Sequence, residues 1–135
     1  AVGAEIVGRD PSSIHIAAYL PTCINTDGQK AVDDMRGQAA RYLALHGASA
    51  ITAAAGLPQD FCAQFRDAFL RGEKLDTNIP GEFVDKLVIA GTPEHCRRRL
   101  QEYRDAGVDM PVIYEAAGDQ SPEDSLANIG RYLIG

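Results

Sequence analysis

Gly91-Thr92-Pro93-Glu94-His95-Cys96-Arg97-Arg98-Arg99-Leu100-Gln101-Glu102-Tyr103-Arg104-Asp105-Ala106-Gly107-Val108-Asp109-Met110-Pro111-Val112-Ile113-Tyr114 holds one helix-to-strand unit with its stop signals in place. Thr92 can accept a hydrogen bond from the first helical turn. Pro93 suits the first helical position, where an N–H is not needed, and Glu94 favours the positive end of the helix dipole. Cys96, Leu100 and Tyr103 recur at helical spacing and define a buried stripe, and Gly107 closes the helix. Val108-Asp109-Met110 then leads into a strand predicted over 111–116, whose initial proline suits a first or edge position.

Working outward, Ser121-Pro122-Glu123-Asp124 opens a last helix predicted over 121–134, with Leu126, Ile129 and Leu133 on its inner face. Upstream, Ile14-His15-Ile16-Ala17-Ala18-Tyr19-Leu20 reads as a strand over 14–20, ended by Pro21. Alternation places Ile14, Ile16, Ala18 and Leu20 on the bulkier face. Between the strands, Thr26-Asp27-Gly28 offers an N-cap to a helix carrying Val32, Met35, Ala39, Leu43 and His46, which Gly47 ends. Further helical stretches fall at 50–55 and 58–71, the latter with Phe61, Phe65 and Phe69 as a packing stripe. Residues 72–81 form a loop, and 83–89 fit either a short buried helix or a strand. Residues 1–8 are an apolar stub ending at Gly8, and Arg9-Asp10-Pro11-Ser12-Ser13 is a turn.

Two strands joined by a long helical crossover are parallel, which makes the class α/β. At 135 residues the chain is one domain at most. Near-continuous apolar strands need cover on both faces, and two strands leave both sheet edges bare. The expectation is that something outside the chain supplies this cover.

Hydrophobic residues at 45% and charged residues at 24% are ordinary for a globular protein, so disorder is not indicated. A net charge of −6 opposes nucleic acid and anionic membranes as partners. Cys23, Cys62 and Cys96 form no C-x-x-C pair, which argues against a disulfide framework or zinc site and suits a reducing cytoplasm. No apolar run approaches the roughly 18 residues of a membrane span. The chain opens at Ala1 without an initiator Met, the pattern of a processed chain or of a piece of a longer one. His15, His46 and His95 have no spacing suited to a metal or a triad, and Arg97-Arg98-Arg99 reads as a solvated helix face. There is no G-x-G-x-x-G, P-loop, nucleophile elbow or H-E-x-x-H, so no catalytic residue and no metal ligand is assigned.

The segment from Gly91-Thr92-Pro93-Glu94 through Ala106-Gly107-Val108-Asp109 to Pro111-Val112-Ile113-Tyr114 resembles the C-terminal end of luciferase-like flavin-dependent oxidoreductases. Gly8-Arg9-Asp10-Pro11-Ser12-Ser13-Ile14, followed by Ala17-Ala18-Tyr19, is similar to the same family's entry into barrel strand seven. The resemblance implies a TIM-type (β/α)₈ barrel of about 250 residues or more. Residues 14–20 would be strand seven, 111–116 strand eight and 121–134 the final helix. It also implies FMN or a deazaflavin in the intact family, with none held by this chain alone.

In such a barrel the active site lies at the carboxyl ends of the strands. Tyr19, Thr22 and Cys23 after one strand and Tyr114 and Glu115 at the end of the other are then the residues to inspect, with Thr92 at a helix N-terminus suited to an anion. Tyr19, Thr22, Thr92 and Glu115 are the cofactor-binding candidates. Two functions compete. One is the C-terminal portion of a luciferase-like oxidoreductase, inactive without the remainder of the barrel. The other is a non-catalytic module that forms a homo-oligomer through its strand edges.

Overall fold

The computed structural model describes residues 2–116 and 120–134, so Ala1 lies outside the described residues. In chain order the elements are α1 (Val2–Ile6), β1 (Ala17–Ile24), α2 (Gly28–His46), α3 (Ala50–Ala54) and α4 (Gln59–Leu70). There follow α5 (Gly81–Leu87), β2 (Ile89–Gly91), α6 (Pro93–Asp105), β3 (Met110–Glu115) and α7 (Pro122–Ile129), extended by a π-helical turn over Gly130–Ile134. The helix starts are where the capping residues place them. The Asp27 carboxylate accepts from the Gln29 and Lys30 amides at 3.1 and 3.2 Å, and Thr92 Oγ1 accepts from the His95 amide at 3.3 Å.

The first strand departs from expectation. It begins at Ala17, beyond Ile14 and Ile16, which are exposed, and it runs through Pro21 to Ile24. The reason is the direction of the ladder. The Asn25 amide bonds Gly91, so odd-numbered residues of β1 turn their main-chain groups toward β2. Pairing with β2 begins only at Thr22 opposite Ile89. Proline's missing N–H therefore removes no ladder bond, and the strand continues.

A third strand also joins the sheet. The 83–89 segment resolves into both alternatives, α5 followed by β2, and all three strands run parallel in the order β2-β1-β3. With only three residues, β2 offers little edge. The eight-residue β1 gives β3 six paired positions, from Ala17 opposite Met110 to Thr22 opposite Glu115. Pro111 falls at a position whose main chain faces outward, where a missing donor costs no ladder bond.

Crossing the sheet in both directions puts helices on both faces. One core joins Cys23 and Ala90 to Met35 and Leu43 of α2, Phe65 of α4 and Val84 of α5. The other joins Leu20, Ile24 and Ile89 to Cys96 and Leu100 of α6 and Ile129 of α7. The cover expected from outside the chain is thus supplied from within along the carboxyl half of β1. Of the aromatic stripe on α4, Phe61 and Phe65 pack edge to face at 5.1 Å, while Phe69 is exposed. Leu126, expected on the inner face of α7, is exposed as well.

Leu43→Ala removes a fully buried side chain of α2 and should cost about 2–5 kcal/mol in urea unfolding. Leu45→Ala, two residues on and 63% exposed, should stay within about 0.5 kcal/mol. Equal costs would show that α2 is rotated from the orientation described.

Candidate functional site

At the carboxyl ends of β1 and β2 the chain turns directly into α2 and α6, and the two helix starts meet. A Cβ built on Gly28 would stand 3.0 Å from Thr92 Cγ2. Gly91, at φ +153°, would place one 2.9 Å from His95 Cδ2. Two glycines therefore permit this close approach. Beside them opens a cavity of about 460 Å³, lined by Gly28, Gly91, Thr92 and His95 and by Gly81 and Asp85 of α5. Two first turns border it, with the amides of Gln29 and Lys30 taken by the Asp27 carboxylate and that of His95 by Thr92 Oγ1, and the carboxylates of Glu82 and Asp85 also line it.

The side chains at its rim form a chain of contacts. His95 Nε2 lies 2.6 Å from Asp85 Oδ1, tying α6 to α5. Arg98 donates to His95 Nδ1 at 2.9 Å, and a guanidinium can only donate. In this arrangement Nδ1 accepts, so Nε2 carries the proton shared with Asp85. Arg99 donates to the Asp85 carbonyl at 3.1 Å and pairs with Glu102. Arg99 is thus turned inward, unlike the solvated face expected of the arginine run, which Arg97 and Arg98 do occupy.

The four sequence candidates separate. Thr92 is the N-cap of α6 and lines the cavity. Glu115 ends β3, half-buried and level with Thr22 in register. Thr22 is fully buried within the strand, and its hydroxyl bonds Leu20 O at 3.0 Å. Tyr19 is the third residue of β1 and 76% exposed, so it stands toward the amino end of the strand and not at the carboxyl edge. That placement follows from the continuation of β1 past Pro21. Tyr114 accepts from Gln38 Nε2 at 3.4 Å, which fastens β3 to α2. Sequence reasoning did not find Asp85. Its partner lies ten residues away across a strand, and no local pattern links them.

Among the described residues no cluster of His, Cys, Asp and Glu could hold a metal, and no helix is long and apolar enough to cross a membrane. The three cysteines are free and buried. Burial pushes the Cys23 thiol up to about 11, with the Asp34 carboxylate adding to the effect. Burial likewise pushes Cys96 up to about 12, helped by the neighbouring Cys23 and by Asp85.

A parallel α/β sheet with its cavity at the carboxyl edge is the arrangement of barrel enzymes and their relatives. The chain belongs to the luciferase-like monooxygenase family, whose sequence profile matches residues 1–110. It is 27% identical over 138 residues to a 5,10-methylenetetrahydromethanopterin reductase of Methanolobus tindarius, an alignment covering all of this chain and 42% of that protein. In three dimensions it is similar to the coenzyme F420-dependent tetrahydromethanopterin reductase of Methanopyrus kandleri, with a TM-score of 0.76 and 22% identity, over 98% of this chain and 38% of that one. That likeness shows a shared TIM-type fold. The chain spans about two fifths of the length of either relative.

The raised thiols set a pH dependence. A thiol that ionises near 9.0 when unfolded and near 11–12 when folded contributes stability that is complete below pH 9 and is lost as the pH rises toward the folded value. Urea melts at pH 8 and at pH 10.5 should therefore show a fall in stability, and Cys23→Ala should reduce it to the share of Cys96. The same slope in that variant would contradict the burial of Cys23.

Proposed function

We propose that this chain forms the C-terminal strand–helix units of a luciferase-like oxidoreductase barrel that works with a deazaflavin. The observation that carries the reading is the family match over residues 1–110, and the alignment of the full chain with a reductase extends it. The choice of deazaflavin draws on the F420 dependence of the structural relative. When bound, a reduced flavin or deazaflavin supplies the hydride.

At the carboxyl edge the α6 start, where the Thr92 side chain caps His95, is the place for the phosphate-bearing end of such a cofactor, set against the Glu82 and Asp85 carboxylates on the far wall. Amides of two helix starts border the cavity, and glycine at 28 and 91 keeps Cβ atoms out of it. In this reading the Thr92 main chain would bind the anion, with Asp85 and Arg98 fixing the His95 ring beside it. Glu115 would close the β3 side. Buried Thr22 and outlying Tyr19 have no part in the contact.

Three strands do not close a cylinder of eight. We therefore infer that this chain alone holds the cofactor weakly and has no oxidoreductase activity without the remainder of the barrel. Gel filtration after incubation with coenzyme F420, and separately with FMN, tests this. The protein peak should emerge without the cofactor's absorbance, and a stoichiometric coloured complex would overturn the claim.

A second reading, a non-catalytic homo-oligomer joined through strand edges, draws on the unpaired outer edge of β3 and on exposed Ile16, Met110 and Tyr114 nearby. Light scattering on the same column decides it. A dimer mass supports this reading, and a monomer at high concentration removes it.

A further inference from the structure

The sheet has a notch at the other end. Because β2 starts opposite Thr22, the main-chain groups of Tyr19 that face the β2 side have no strand partner. A cleft of about 270 Å³ occupies the place where β2 would continue. Tyr42 of α2 borders it from one face of the sheet and Tyr103 of α6 from the other. Burial, and the nearby Tyr103 after it, push the Tyr42 hydroxyl above the usual tyrosine range and keep it protonated. Leu87, Val88 and Ile89 supply apolar wall. Neither the Tyr42 nor the Tyr103 hydroxyl makes a hydrogen bond among the described residues.

Lys86 is the one cation among the described residues that line this cleft, while the Arg99 guanidinium lies over the Tyr103 ring at 5.6 Å from its centroid. Lys86 of α5 donates to the Gly56 carbonyl at 3.0 Å and makes no ion pair with any described carboxylate. Lys86 is exposed, so its ammonium stands in solvent at the mouth of the cleft with only a neutral protein partner and is open to pairing with an anion that enters beside the apolar and aromatic walls. The size of the cleft limits what can match it, since pockets for drug-sized ligands run from about 300 to 1,000 Å³. A single ring with one charged substituent is the scale that fits.

We propose that this cleft is a binding site for a small aromatic carboxylate, its ring set between Tyr42 and Tyr103 and its carboxylate against Lys86. Flat rings stack well on tyrosine faces, so aromatic ligands gain over saturated ones of the same charge. The bare edge of β1 at Tyr19 supplies one further donor and acceptor. The site lies along the amino half of β1 and does not depend on the function proposed above.

The chain has five tyrosines and no tryptophan, and Tyr19, Tyr42 and Tyr103 border the cleft, so tyrosine fluorescence reports on it directly. Titration with benzoate should quench that emission with a single saturable site. Cyclohexanecarboxylate, with the charge but no aromatic ring, and benzyl alcohol, with the ring but no charge, should each bind about tenfold more weakly. Lys86→Met should reduce benzoate affinity about tenfold and leave benzyl alcohol unchanged, with its urea midpoint recorded to confirm folding. Tyr103→Leu should erase the preference for the aromatic ring. Equal binding of benzoate and benzyl alcohol, an unaltered benzoate affinity in Lys86→Met, or no saturable quenching would each overturn the proposal.

Discussion

Everything in this fold is referred to the main-chain ladder of β1. It is the central strand of the sheet, and each of its two edges fixes one neighbour. Its eight residues exceed what either partner uses: three positions with β2 and six with β3. The two ladders overlap only at Thr22, the one register position shared by both. Beyond it toward the carboxyl end β2 is the partner, and before it β3 is. This offset makes a cavity where α2 and α6 start and a notch where β2 has not yet begun.

The same strand explains why two helical layers are needed. Leu20 and Ile24 point to α6 and α7, and Cys23 points to α2 and α5. Since alternate residues of a strand face opposite ways, a central strand buried from Leu20 to Ile24 requires apolar surface on both sides. Methyl-sized residues serve that contact on α2, where Ala31, Ala39, Ala40 and Ala44 are fully buried and let the helix lie close to its neighbours. Larger side chains there would push the helix out and open the core.

The helices were legible because their signals are local. Thr92-Pro93 and Asp27 carry cap chemistry within three residues, and Gly47 ends α2 where a positive φ of 54° is needed. The strands were less so, because pairing is a long-range matter. Proline at 21 reads as a stop until its nitrogen, which has no hydrogen to donate, is seen to face an edge with no partner. Ile14 and Ile16 read as core until β3 is found to begin its ladder at Ala17. β2, with three residues, is too short to show a period of its own.

For the site, the residue types were readable and their company was not. Thr92 was identifiable as a helix start facing the carboxyl edge, because cap and strand adjoin in the chain. Of its neighbours, Asp85 is separated from it by β2 and Gly28 by four helices and β2, and they meet it only once β1 and β2 are paired. His95 shows the difference best. As one histidine on a polar helix it carries no signal, yet its ring is held on one nitrogen by Asp85 and on the other by Arg98. An imidazole with both nitrogens engaged keeps one orientation, and that orientation blocks a side chain at Gly91, where a Cβ would come within 2.9 Å of the ring, too short for real contact. The requirement for glycine at 91 is therefore set twice, by a backbone φ of +153° and by the tertiary contact that fixes the His95 ring.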